Sequence, residues 1–382
     1  MKYLAAGVCL VLIFALTVSA KIDEPCRKDA YPPDASSKLE TVVLNMDLPP
    51  EERWEHIITP KKEQLTELIA VIKELIPSKV ITVVDAALAM IIDRLPSPYS
   101  GEIKGIAKAS GLPLGEAVLY NIFYEIFTAC TSIVGQDDAG RLYHARNLDF
   151  GLLLGWDDKN NTWLVSEKLR KLMVIVDYQR SGKTMYQAVH FVGYIGILTA
   201  IKPHMFTLTM NERFSLDGGY IGIIEWVLGI SKGKWMGFLT RDVMDTAVSY
   251  SEAKLMLSNT TMLAPAYFIL GGNQSGEACV ITRSREKTVD LWEMDTSKGM
   301  WFLLETNYDH WKAPFFIDDR RTPGNKCMKE MTQKGMGFKG LFNVLSTRPS
   351  LNKLTTYTAL MQVNDGTLDT YLQRCPDPCW PW

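Results

Sequence analysis

In the run CTSIVGQDDAGRLYHARNLDFG a cysteine, Cys130, is followed within one hairpin's length by an arginine, Arg146, and an aspartate, Asp149. A thiol, a guanidinium and a carboxylate are the parts of a cysteine nucleophile with electrostatic support. The plainer reading is a buried core thiol beside an ordinary ion pair at a strand end. A papain-type pair requires a histidine, but His56, His144, His190, His204 and His310 all lie outside any papain-type signature. GGYIG and GGNQSG are glycine-rich without forming a Walker loop or a dinucleotide fingerprint, and no G-x-S-x-G elbow is present. With no CxxC pair and no His-x-His cluster, neither a metal site nor a cofactor is expected.

One arrangement accounts for the missing histidine. If the chain is cut between Ala129 and Cys130, the cysteine becomes N-terminal and its own α-amine can act as the base. An α-amine titrates near about 8 and a thiol near about 8.5, so proton exchange between them is nearly balanced. In this reading Arg146 favours the thiolate and Asp149 orients the amine.

The elements around Cys130 agree with a junction there. Residues 21–129 read as helical. In KKEQLTELIAVIKELIPSK the apolar positions Leu65, Leu68, Ile69, Ile72, Leu75 and Ile76 follow helical spacing. VVDAALAMIIDRL, GEIKGIAKASG and PLGEAVLYNIFYEIF continue the helical pattern. From Cys130 the period changes to that of strands: CTSIVG, RLYHAR, TWLVSE, KLMVIVDY, GILTAI, MFTLTMNE, AYFILGG, ACVITR, TVDLWEM and WFLLETN. Helices are expected over GGYIGIIEWVLG, GFLTRDVMDTAVSYSEAKLMLS and FKGLFNVLS. RRTPGNKCMK reads as a polar loop. No Pro/Gly-rich linker marks the change at Cys130, as an ordinary domain boundary would. An α+β sandwich of two sheets between helix layers buries this many apolar strands.

The 382 residues are 47% apolar with a formal net charge of −2, which provides for a large core and argues against a nucleic-acid partner. Residues 1–20 read as a cleaved signal peptide: Lys2, an apolar run, then VSA. Asn160, Asn259 and Asn273 head N-x-S/T sequons, which fits a secretory lumen. Six cysteines follow Cys9. Cys26, Cys327, Cys375 and Cys379 lie in polar contexts that suit disulfides, and of their three pairings Cys26–Cys327 and Cys375–Cys379 are favoured. Cys130 and Cys279 lie in apolar runs, either paired with each other or as free buried thiols.

NIFYEIFTACTSIVGQDDAGRLYHARNLDFG, LTMNERFSLDGGYIGIIEWVLG, LAPAYFILGGNQSGEACVITR, TNYDHWKAPFFIDDRRTP and LNKLTTYTALM with RCPDPC resemble, in order, the acid ceramidase family. The resemblance runs from about Pro25 to the C-terminus. The lysosomal acid amidases acting on N-acylethanolamines are a near branch, but YFILGGNQSGEACVITR and the paired-cysteine C-terminus look more like the ceramidases. The resemblance implies an N-terminal-nucleophile αββα sandwich with a helical N-terminal subunit packed on it, residues 21–129 and 130–382 being the two subunits after self-cleavage. It also implies Cys130 as nucleophile, Arg146 and Asp149 beside it, Asn307 on the oxyanion side, Arg320 as a second arginine and Glu212 as an acidic site residue. The implied reaction is hydrolysis of ceramide to sphingosine and fatty acid through a thioester, in the lysosome, with secretion as a second destination. The partners the resemblance implies are an N-acyl lipid and a saposin-type activator, while an anionic membrane surface is expected because carboxylates protonated in an acidic lumen leave the chain positive. The alternatives are an amidase preferring N-acylethanolamines and a non-catalytic lipid-binding homologue. EWVLG and WMGFL are candidates for a greasy lipid groove.

Overall fold

The computed structural model describes residues 24–75, 91–92, 94–123, 128–150, 155–214, 222, 225–226 and 229–379. The signal-peptide segment, most of VVDAALAMIIDRL and most of GGYIGIIEWVLG lie outside the described residues.

Fifteen strands are described: β1 Thr41–Asn45, β2 Thr128–Gln136, β3 Leu142–Phe150, β4 Trp156–Asp157, β5 Thr162–Trp163, β6 Met173–Arg180, β7 Lys183–Phe191, β8 Thr199–Lys202, β9 Phe206–Glu212, β10 Ala266–Gly271, β11 Ala278–Arg283, β12 Thr288–Glu293, β13 Phe302–Glu305, β14 Thr355–Gln362 and β15 Thr367–Leu372. They form an eight-stranded sheet, β1-β6-β7-β8-β9-β10-β11-β12, a five-stranded sheet, β13-β2-β3-β14-β15, and the small β4-β5 ribbon. The two large sheets face each other through β2 on β9 and β10. Helices Met236–Thr246 and Tyr250–Asn259 pack on the outer face of the larger sheet, and Arg321–Met331 and Phe338–Leu345 pack on the smaller one. The result is the expected helix–sheet–sheet–helix sandwich.

Local chemistry explains the element ends. Helix Tyr99–Ser110 stops at Gly111, whose left-handed φ of 74° closes the last turn onto Ala107. The long helical run after Trp235 breaks at Ala247–Ser249. There the Ser249 hydroxyl accepts from Glu252 N while the Glu252 carboxylate accepts from Val248 N, a reciprocal cap that starts the second helix. The β2–β3 turn is held by Asp137, whose carboxylate accepts from Ala139 N and Arg141 N, both at 2.9 Å.

Several expectations are corrected. The segment before Cys130 is not wholly helical: Thr41–Asn45 adds as a parallel edge strand to β6. Its short alternation is too brief to stand out beside the helices, and the strand exists because β6 offers it a partner. TWLVSE is strand only at Thr162–Trp163 and then turns into helix Leu164–Arg170. RRTPGNKCMK is the N-cap Arg320 followed by most of helix Arg321–Met331, where Pro323 occupies the first turn and its missing N–H costs nothing. β7, β14 and β15 are strands that local composition left unmarked. The WMGFL segment is core, with Trp235, Met236, Phe238 and Leu239 buried. Trp235 and Phe238 nevertheless line a cleft of about 650 Å³ together with Tyr99 and with Trp226 of EWVLG.

Cys26–Cys327 and Cys375–Cys379 are disulfides, whereas Cys130 and Cys279 are free and buried. Cys26–Cys327 fastens the N-terminal segment to helix Arg321–Met331. Arg27 N and Ala30 N reinforce it by donating to Thr347 and Asn343 at 2.9 and 2.8 Å.

Candidate active site

Cys130 sits on β2 opposite Leu148 of β3, with Ser132 opposite Arg146 and Ala129 opposite Asp149. Side chains alternate along strands, so Cys130, Ser132 and Arg146 share one face of the hairpin and Asp149 lies on the other. The i, i+3 spacing of Arg146 and Asp149 therefore divides them: Arg146 enters the space between the sheets, and Asp149 faces the helix layer.

Arg146 is fully buried and donates from Nη2 to the sulfur of Cys130. Its remaining bonds reach the opposite sheet: Nη1 to Leu198 O at 2.5 Å and to the Thr199 hydroxyl at 2.9 Å, and Nη2 to Met210 O at 3.1 Å. The Thr199 hydroxyl is in turn bonded to the Tyr357 hydroxyl at 2.7 Å. All these acceptors are neutral, so the sulfur is the one Arg146 partner that can take a negative charge. Burial pushes the Cys130 thiol up to about 11, with Arg146 and Arg320 pulling it down and Asp149 pushing it up. In the uncut chain it is a thiol.

On the other face, Arg320 links the backbone of Cys130 to the acidic groups. Its Nη1 donates to Cys130 O at 2.5 Å and lies 3.4 Å from Asp149 Oδ2. Its Nη2 donates to Asn307 Oδ1 at 2.7 Å, and Asp318 accepts from Nε at 2.7 Å. Burial opposes its charge, but Asp318 and Asp149 more than offset that and hold it protonated. Asn307 Oδ1 also accepts from Cys130 N at 2.9 Å, while its Nδ2 donates to Glu212 O at 2.7 Å. Two donors on one atom and a carbonyl opposite the other fix the orientation of this amide.

Asp149 is fully buried and accepts from Thr355 Oγ1 at 2.6 Å and Asn352 Nδ2 at 3.1 Å. Burial raises its carboxyl from the ordinary 3.8 to about 6, against the opposing pull of Arg320, Thr355 and Asn352. A register shift between Thr355 and Tyr357 on β14, opposite Asp149, turns the Thr355 hydroxyl onto the carboxylate.

The structure thus gathers Cys130, Arg146, Asp149, Asn307 and Arg320 around one strand end, all buried. Glu212 joins through its backbone carbonyl, at the end of β9. Cys130 N donates to Asn307 rather than to Asp149, and Asp149 acts on that end through Arg320. Asn352, Thr355, Asp318, Thr199 and Tyr357 are site residues that sequence reasoning missed. Only Asp318 carried a signal, being two residues before Arg320 in DDRR. The buried histidines are occupied elsewhere: His144 bonds Thr207 and Thr209, and His190 bonds Tyr178 and Tyr194 O. Burial depresses both to about 3, so they are neutral. No cluster of metal-ligating side chains occurs among the described residues. The sequon asparagines Asn160 and Asn259 are exposed, whereas Asn273 is half-buried and donates to His204 O at 2.7 Å.

Residues 130–324 match the family of linear amide C–N hydrolases of the choloylglycine hydrolase type, a match that begins at Cys130. Residues 37–95 match the beta subunit of N-acylethanolamine-hydrolyzing acid amidase. Acid ceramidase of Homo sapiens is 49% identical over 94% of this chain and 93% of its own. That of Mus musculus is 47% identical over 97% of this chain and 98% of its own. Among solved structures, a Caenorhabditis elegans orthologue of N-acylethanolamine-hydrolyzing acid amidase superposes with a TM-score of 0.53 at 30% identity, covering 64% of this chain and all of that one.

Proposed function

The chain belongs to the acid ceramidase family of linear amide C–N hydrolases, and we propose that it hydrolyses ceramide with an N-terminal Cys130 that it liberates by cutting itself after Ala129. The observation that carries this reading is the buried Arg146 bonded to the Cys130 sulfur, on the strand where Asn307 and Arg320 hold the nitrogen and oxygen of that same residue.

Self-cutting uses the same atoms. The thiol sulfur attacks the carbonyl carbon of Ala129, and the bond from that carbon to Cys130 N breaks as the nitrogen takes up a proton. Water then hydrolyses the thioester, leaving a carboxylate on Ala129 and a free thiol and amine on Cys130. The match to an amidase beta subunit ahead of Cys130 supports two subunits from one chain.

In turnover, the α-amine takes the thiol proton as sulfur attacks the amide carbonyl. The proton passes to the departing sphingoid amine as the C–N bond breaks. Water, deprotonated by the same amine, releases the fatty acid and restores the thiol. Asn307 Oδ1 holds the amine, and its Nδ2, an amide nitrogen with two hydrogens, is the donor assigned to the oxyanion. Arg320 and Asp149 hold Asn307 and the Cys130 carbonyl in place.

The ceramidase relatives and the sequons support a lysosomal protein, with secretion as a second destination. A lipid substrate calls for contact with a membrane. Phe214, Trp311, Phe315 and Phe316 are exposed beside the segment carrying Asp318 and Arg320, with Phe214 packed on Tyr308 at 5.6 Å between ring centres. This aromatic patch is the surface suited to a lipid bilayer and to a saposin-type activator. Incubation with labelled ceramide at acidic pH tests the reading: release of fatty acid supports it, and binding without release supports the lipid-carrier alternative. Faster turnover of an N-acylethanolamine of matched chain length would favour the amidase branch.

A further inference from the structure

We propose that Arg170, a residue outside the reacting centre, is a positioning residue that sets the geometry and protonation of Asp149 by clamping the turn that holds it. This rests on the reading of Cys130 as the reacting group.

The turn is Asn352–Thr355. Its two end side chains are the neutral donors to Asp149, at 3.1 and 2.6 Å. The turn is self-consistent: Asn352 N donates to Thr355 Oγ1 at 3.0 Å, Leu354 N to Asn352 Oδ1 at 2.9 Å, and Thr355 N to Asn352 O at 3.1 Å. Leu354 O accepts from Phe150 N, the residue after Asp149, at 3.0 Å. On its far side the turn meets Arg170, at the end of helix Leu164–Arg170. Arg170 is 3% exposed. Its Nη2 donates to Thr355 O at 2.6 Å and Lys353 O at 3.2 Å, its Nε to Gln373 O at 2.7 Å, and its Nη1 to Glu167 at 2.5 Å. One planar fork thus fastens two carbonyls of the Asp149 turn to the start of the C-terminal tail. A lysine cannot reproduce that fork.

The charged and titratable groups that act on Asp149 are Arg320 with Asp318 behind it, Cys130 on the opposite face of β2, and Arg170 behind the turn. Arg170 adds a positive charge that no neutral residue replaces. Removing it both loosens the donors on Asp149 and disfavours the carboxylate.

The test uses the full chain with Arg170→Gln and Arg170→Lys. Two readouts are followed against pH: conversion of full-length chain to two pieces, and hydrolysis of a short-chain fluorescent ceramide. For Arg170→Gln we expect the acid limb of both profiles to move up by about half a pH unit. We also expect kcat to fall by roughly 10-fold with KM unchanged, the effect of displacing a reacting group's support. Arg170→Lys should keep the acid limb near its original position but retain the loss in kcat. Profiles superimposable on wild type, with any loss accounted for by the fraction of folded protein, would overturn the proposal. If the Arg170 variants do not accumulate, Glu167→Gln, which removes the outer anchor of Arg170 from a half-exposed position, should still lower kcat several-fold; unchanged kcat there would count against the clamp. A wild-type chain that cuts itself but leaves ceramide intact would fail the substrate reading alone, since the cutting profile still reports on Arg170.

Discussion

Around Cys130, the two faces of one hairpin carry different groups. Arg146 serves the sulfur from the space between the sheets, Arg320 and Asp149 serve the backbone of Cys130 from the other face, and Asn307 ties Cys130 N to Glu212 of the opposite sheet. Replacing Cys130 by Ala should leave a full-length chain with no amidase activity, read by intact mass and fatty-acid release. Asn307→Ala should lower kcat by roughly 100- to 1,000-fold, as loss of one oxyanion donor does; a change in KM alone would show that Asn307 only binds. The carboxyl of Asp149 is raised from 3.8 to about 6, so the folded chain holds its proton more tightly than the unfolded one. Its stabilising contribution is full below about 4 and is lost as pH rises through about 6. Asp149→Asn, neutral throughout, should therefore flatten that part of the melting temperature against pH while abolishing efficient turnover.

Among the elements, what sequence pattern conveyed depended on how local the cause was. The β2–β3 hairpin was legible because Asp137 and Gly140 make its turn and because Cys130, Arg146 and Asp149 lie close together on it. Asn307 and Arg320 were legible only through family resemblance, since their partners are far away in the chain. Asn352 and Thr355 were not legible at all. Their role arises from a register shift on β14 and a turn facing β3, which no local spacing announces. The edge strand β1 escaped for the same reason: a parallel pair is made by its neighbour. A second element-scale feature is the buried charge cluster joining the helical segment to the large sheet. Glu102 accepts from Arg53 at 2.9 Å, from Trp54 at 2.7 Å and from Arg241 through both carboxylate oxygens, at 2.5 and 2.6 Å. Burial opposes its charge, yet Arg241 holds the carboxyl below its ordinary 4.5. Its contribution is thus present above 4.5 and is lost as pH falls through its lower folded value. Glu102→Gln leaves Arg241 buried without a full counter-charge and should destabilise the protein by roughly 3 to 5 kcal/mol. Thermal melts across pH check this, and a melt unchanged from wild type would remove the cluster from the account.

For the whole molecule, the sandwich is built across the proposed cut. β1 belongs to the sheet whose other strands all follow Cys130, Glu102 pairs with Arg241 beyond it, and Cys26 is bonded to Cys327. The two pieces should therefore stay together after cutting even without the disulfide. A Cys26→Ser, Cys327→Ser double variant should run as two bands on a non-reducing denaturing gel and still elute as one species under native conditions. Separate elution would show that the disulfide alone joins them. In the proposed sequence of events Cys130 becomes a chain terminus before it becomes a catalyst. The most direct test is N-terminal sequencing of the larger piece after acid incubation and reduction, alongside ceramide turnover of the same sample. The account predicts a piece beginning at Cys130 in the wild type, appearing in step with activity, and an uncut, inactive chain in Cys130→Ala. An uncut chain that turns over ceramide, or a larger piece beginning at another residue in an active sample, would contradict it.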